Sequence, residues 1–190
     1  MHSHYKIYKP YGCLSQFKSN DSKQKSKRFL GELYNFPNQT MAIGRLDEKS
    51  EGLLLLTTDG KLSSYINSTK IDKEYYVLVD GAITASAIDK LSKGVEIGIN
   101  GQKIITKPCK ARILVVEPQL PQRSKKIRDI RHGPISWISI VLNEGKFRQV
   151  RKMTSAVGFP TLRLVRVRIG DVALENMQVG DVIPLKKITS

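Results

Sequence analysis

One acidic side chain, Asp47, stands where it could do chemistry. It closes the run Gly44-Arg45-Leu46-Asp47, a few residues ahead of the apolar stretch Leu53 to Thr57, which reads as a buried strand. A glycine permits a sharp backbone turn, and a loop carried by rigid elements is a common place for reactive groups. A carboxylate with cations beside it is suited to act as a nucleophile or general base. An ordinary solvated ion pair at a strand start has the same residue types, and for the isolated Arg-Leu-Asp triplet that reading is the stronger.

Two further segments supply groups that such a carboxylate would need. Asn143 to Met153 (NEGKFRQVRKM) puts Lys146, Arg148, Arg151 and Lys152 on a tight turn and the first turns of a helix. Cations gathered there could seat a phosphate or a buried carboxylate. Lys146, Val150 and Met153 do not sort onto one polar face, so at least one cation must point toward the protein body or a cleft. A solvated basic helix fits the same residues. In Lys73-Glu74-Tyr75-Tyr76-Val77 the two tyrosines project to opposite faces of a strand. One ring can pack in a core while the other stacks on a nucleobase, although tyrosines are common in strands for packing reasons alone.

The elements that must position these groups follow no regular alternation. Tyr5 to Tyr8 reads as a first strand, stopped at Lys9-Pro10-Tyr11-Gly12. Phe29, Leu30, Leu33 and Tyr34 fall at helical spacing and predict a helix over about 23–35, ended by Pro37. Asp59-Gly60 signals a turn, with a short helix expected around 61–67. Strands are expected at Glu74–Val79, within 103–116, at Ile135–Leu142 and at Thr161–Ile169. Further helices are expected from Thr84 to Gly94 and from Lys146 to Val157. Trp137, on an apolar strand, is expected in the core. Residues 117–134 form a Pro-flanked basic loop with Arg123, Lys125, Lys126, Arg128 and Arg131. This mixed order points to the α+β class.

Composition narrows the partners. The 190 residues suffice for one domain, or one domain in two lobes, and a chain of this length buries about 70% of its unfolded surface without needing a metal or disulfide. Lys and Arg number 32 against 17 Asp and Glu, a formal net charge of +15. Such a balance attracts polyanions, with nucleic acid the first expectation. No apolar stretch approaches the ~20 residues of a membrane span. Cys13 and Cys109 stand alone, without His or Cys at ligand spacing, so neither a structural zinc nor a disulfide framework is expected. The N-terminus lacks the apolar core of a signal peptide, and a cytoplasmic location is expected.

The three segments, taken together and in order, resemble the pseudouridine synthases of the RsuA group, which modify bacterial ribosomal RNA. Lys9-Pro10-x-Gly12 is similar to the group's first motif, GRLDEKSEGLLLLTTDG (44–60) resembles its signature, KEYYV its K-x-Y-x-V strand, and LNEGKFRQVRKM its E-G-x-x-x-Q-V-R-[RK]-M motif. The resemblance runs from about Tyr5 to Leu185. It implies a pseudouridine synthase fold, a mixed and mostly antiparallel sheet in two lobes (approximately 1–68 and 69–190) with a catalytic cleft between them. Asp47 would be the essential aspartate. Arg45 would help hold the RNA with the target base extruded, Tyr75 would stack on the flipped uracil, and Leu142 would line its pocket. Arg151 would pair with Asp47 and orient it. No metal or cofactor is implied.

Many members of the group carry an S4-type RNA-binding domain ahead of the catalytic part. With the first strand expected at Tyr5, none is expected here, which resembles the RluE branch acting on large-subunit 23S rRNA. The basic segments 18–28 and 122–132 would then supply target contacts, with Lys146, Arg148, Lys152, Arg123, Lys125, Lys126 and Arg128 as RNA-binding candidates. A monomer acting on ribosomal RNA is expected. The alternatives are the same reaction on 16S rRNA or tRNA, or a non-catalytic rRNA-binding protein that keeps the fold.

Overall fold

Leu53 to Leu56 form a run without polar interruption, and such a run suits a strand covered on both faces. In the computed structural model, which describes residues 2–19, 26–68 and 71–188, that strand lies inside a nine-stranded sheet and all seven of its residues are buried. In chain order the strands are β1 (His4–Lys9), β2 (Cys13–Leu14), β3 (Arg28–Phe29), β4 (Met41–Ile43), β5 (Glu51–Thr57), β6 (Lys73–Asp80), β7 (Glu96–Ile99), β8 (Gln102–Ile105), β9 (Lys110–Ile113), β10 (Ile135–Leu142), β11 (Thr161–Ile169), β12 (Val172–Ala173) and β13 (Val182–Leu185). Three α-helices are described: α1 (Gly60–Asn67), α2 (Ala85–Lys93) and α3 (Gln149–Ala156).

The main sheet runs β13-β1-β5-β11-β6-β10-β9, with β4 beside β5 and β12 beside β11. Every pairing in it is antiparallel except the short parallel contact of β11 with β5, at Val165–Glu51 and Arg166–Gly52. That contact is close. Gly52 has φ +100, and a Cβ there would lie 2.4 Å from the Arg166 carbonyl oxygen, so no larger residue fits. The fold is α+β, with a mixed and mostly antiparallel sheet.

Three apolar clusters cover the sheet. The largest joins Leu46, Tyr75, Val77, Ile138, Ile140 and Leu142 to Leu91 of α2 and to Val150 and Met153 of α3. A second gathers Tyr8, Leu53, Leu55, Ile66, Val165 and Ile169; a third gathers Tyr5, Ile7, Leu54, Leu56 and Leu30. The segment Gly44 to Asp47 therefore lies between them, with Leu46 packed into the first cluster and β5 serving the other two.

Caps and turns explain the helix ends. The Asp59 side chain accepts from the Lys61 and Leu62 N–H groups and starts α1, and the Thr84 hydroxyl accepts from the Ala87 N–H and starts α2. The helix expected from Lys146 begins three residues later, at Gln149, because Arg148 adopts φ +53 and turns the chain before it. The expected helix over 23–35 falls partly outside the described residues. Its described part is instead β3 followed by a single 3-10 turn at Leu30–Glu32. There the Phe29 N–H donates to Glu32 Oε1, and Leu30 is buried against Tyr5 and Ile7, so one turn satisfies the apolar spacing. Trp137 is half-buried rather than core, since β9 pairs with β10 only from Ile138 onward.

Candidate active site

The loop carrying Asp47 is fixed at both sides by short local bonds. Gly44 turns the chain at φ +68. The Ser15 hydroxyl donates to the Leu46 carbonyl oxygen (2.7 Å) and accepts from the Leu46 N–H (2.9 Å), which clamps the residue before the acid. The Gly12 N–H donates to the Glu48 carbonyl oxygen (2.8 Å), and the Ser50 N–H closes a turn on the Asp47 carbonyl oxygen (3.0 Å). Arg151 reaches across from α3 and donates through Nη2 to the Lys49 carbonyl oxygen (2.7 Å). The loop has little freedom left, and Asp47 projects from it into a cleft.

Two guanidinium groups face the acid. Arg148 Nη1 lies 3.7 Å and Arg151 Nε 3.9 Å from Asp47 Oδ2, both ion pairs longer than a hydrogen bond. Arg151 Nε is buried and has no hydrogen-bond partner among the described residues. Burial lowers the Arg151 pKa, as does the positive charge of Arg148, while Asp47 acts in the opposite sense. The buried Arg151 Nε thus faces the carboxylate at ion-pair distance without closing a hydrogen bond to it.

The cleft has a volume of about 760 Å³ and is lined by Asp47, Arg45, Tyr75, Leu142, Leu164 and Phe147 among others. Asp47 is not its only acid, but the others are committed. Glu48 is paired with Lys27 at 2.8 Å. Glu144 Oε1 accepts from Gln149 Nε2 (2.6 Å) and from the Lys107 N–H (3.0 Å). Beneath the loop, Glu51 forms a buried two-pronged pair with Arg163, at 3.0 and 3.1 Å, tying the start of β5 to β11. Lys9 is fully buried nearby, donating to the Pro10 and Cys13 carbonyl oxygens, and burial lowers its pKa to about 8.

Residues 3–156 match the family model of the RNA pseudouridylate synthases. The chain belongs to that family. It is 44% identical over 173 residues, 90% of its length, to the ribosomal large subunit pseudouridine synthase E of Xanthomonas axonopodis pv. citri, covering 87% of that protein. It is 43% identical over 176 residues, 92% of its length, to the enzyme of the same name from Xanthomonas campestris pv. campestris, covering 90% of it. Among solved structures, a pseudouridylate synthase superposes with a TM-score of 0.75 at 26% identity, over 98% of this chain and 71% of that one.

As a pseudouridine synthase, the chain brings together seven of the residues its sequence singles out. Asp47, Arg45, Tyr75, Leu142 and Arg148 line one cleft, and Arg151 joins them through its ion pair with Asp47. Tyr75 and Leu142 are the buried walls, at 9% and 3% exposure, and Arg45 is exposed. Lys146 also lines the cleft, exposed on the turn. Lys152 is engaged otherwise: its Nζ donates to the Gly98 carbonyl oxygen (2.6 Å) and sits 5.3 Å from the Phe147 ring centroid.

The candidates of the 117–134 loop do not line this cleft, although the positive charge of Arg123 is near enough to act on Arg151. Arg123 stacks over the Tyr11 ring at 4.6 Å and donates to the Lys125, Lys126 and Leu162 carbonyl oxygens. Arg128 donates to His132, Gly133 and Pro134 carbonyl oxygens and pairs with Asp80. Lys125 and Lys126 are exposed. Of the basic segment 18–28, residues 20–25 lie outside the described residues. Sequence reasoning missed Ser15, whose partner Leu46 is 31 positions away, and Phe147, whose position between two cations in NEGKFRQVRKM was the available signal. Among the described residues, no three His, Cys, Asp or Glu side chains group to hold a metal ion.

Proposed function

We propose that this synthase converts a uridine of large-subunit ribosomal RNA to pseudouridine, with Asp47 acting on the ribose of the target nucleotide. The observation that carries this is the placement of Asp47: a carboxylate on a clamped loop, facing two guanidiniums, in a cleft walled by Tyr75 and Leu142. The reaction breaks N1–C1′, turns the freed uracil, and joins C5 to C1′; the proton leaves C5 and N1 ends protonated. No atom is added, so the enzyme must hold the base while it is detached. The Tyr75 ring and Leu142 supply flat apolar walls for that task. Arg45 and Lys146, exposed at the cleft, take the phosphates that flank the extruded nucleotide.

The large-subunit substrate is supported by the names of the two relatives, both large subunit synthases E. Incubating the protein with unmodified 23S rRNA and with ribosomal precursors, followed by chemical mapping, tests it. One new pseudouridine in 23S rRNA is expected, missing at the same position in RNA from a strain lacking the gene. A modified site found instead in 16S rRNA or tRNA would reassign the substrate and keep the reaction. No modification on any of these RNAs would remove the enzymatic reading.

A further inference from the structure

Phe147 is 64% exposed at the cleft. The apolar side chains around Asp47 behave differently: Leu46, Tyr75, Leu142, Val150 and Leu164 are each 9% exposed or less. A single exposed apolar residue is ordinary on a protein surface. The support under this one is not. The Lys146 N–H donates to Gln149 Oε1 (3.0 Å), Gln149 Nε2 donates to Glu144 Oε1 (2.6 Å), and both of those side chains are buried. The turn so clamped passes through a left-handed Arg148, a conformation that costs a non-glycine residue energy. It thus holds Phe147 out of the core, between Lys146 and Arg148, with the Lys152 ammonium over its ring.

A rigid aromatic face with cations on either side suits one ligand chemistry in particular, an unstacked nucleobase with its two phosphates. A protein partner would need a broader apolar surface around the ring, and here the neighbours in sequence are charged. We propose that Phe147 stacks on the nucleobase next to the uridine that enters the cleft, and so selects the RNA segment the enzyme accepts. This rests on the RNA pseudouridine synthase reading above. When the target base leaves the helix its neighbour loses a stacking partner, and the Phe147 ring replaces it.

The test uses the full chain and an RNA oligonucleotide spanning the mapped uridine, with initial rates of pseudouridine formation. Phe147→Leu and Phe147→Ala are expected to raise KM roughly 10- to 100-fold with kcat little changed, and Phe147→Tyr to restore it. An abasic residue at the stacked position is expected to cost the wild type a similar factor while leaving Phe147→Ala nearly unaffected. The inference is overturned if Phe147→Leu matches the wild type in KM. It is also overturned if Phe147→Ala loses as much relative to the wild type on RNA abasic at the 5′ neighbour, and again on RNA abasic at the 3′ neighbour, as it does on intact RNA. A wild type that forms no pseudouridine at all overturns the reaction itself, a different result from a normal wild type with a silent Phe147.

Discussion

Across 146–151, guanidinium groups face an acid in a cleft; across 117–134, they are held by main-chain carbonyls and by the carboxylates of Asp80 and Asp129 outside it. Arg148 and Arg151 converge on Asp47. Arg123 and Arg128 instead spend most of their donors on carbonyls of their own loop and its neighbours, with Arg128 also paired to Asp80. A long segment without ladder hydrogen bonds must satisfy its backbone somehow, and an arginine fork is a ready donor. The turn before α3 is clamped by Gln149 and Glu144, so Arg148 is not needed to hold it and faces Asp47, while Arg151 both faces Asp47 and holds the Lys49 carbonyl. The difference lies in what else supports the local backbone, and local charge density does not reveal it.

The largest effect should come from the active-site side. Arg151→Met removes the buried Nε that faces Asp47 and the bond to the Lys49 carbonyl. Pseudouridine formation should fall roughly 100-fold or more, since a misplaced reacting group costs on that order. A variant with normal rates would place Arg151 with the loop arginines as a staple. Arg128→Ala should do the reverse, lowering stability by about 1–3 kcal/mol in urea unfolding while kcat stays close to the wild type. Unchanged stability with weakened RNA binding would move Arg128 to the ligand-facing group.

A buried lysine sharpens the contrast at a third place. Lys9 titrates near 8, below the ordinary 10.5, because burial strips its ammonium of water. The folded-state pKa is the lower one, so the cost of the buried charge is complete below about pH 8 and is relieved as pH rises toward 10.5. The stability of the wild type relative to Lys9→Met should therefore rise between pH 8 and 10, by on the order of 1 kcal/mol per pH unit at most. A pH-independent difference would show that Lys9 is solvated. The smallest effect is expected at Lys126: Lys126→Ala should weaken RNA binding uniformly and reduce the slope of log affinity against log salt by about 1. An unchanged slope would remove this loop from the RNA interface.

Much of this arrangement is legible in the residues, and the gaps have physical causes. Ile135–Leu142 and Thr161–Ile169 match their strands end for end, since each is bounded by turn residues and is apolar enough to be buried. The Gly-Arg-Leu-Asp loop and its arginine partner were visible as segments, whereas their meeting across 104 positions comes only from the resemblance and the fold. The segment 28–34 misleads because its apolar spacing is helical, yet a 3-10 turn and contacts with Tyr5 and Phe36 satisfy it. β7 lies outside the expected strands, although Asn100-Gly101, both at positive φ, is a strong hairpin signal. Short strands such as β4 and β13 take their identity from β5 and β1, and their own residues say little.

The most direct test is pseudouridine formation by Asp47→Asn, measured beside its thermal unfolding and its affinity for the same 23S rRNA. The amide keeps the shape of the side chain and removes the charge. Turnover should vanish while folding and RNA binding stay near wild type. Measurable turnover, or a variant that no longer folds, would contradict a catalytic Asp47.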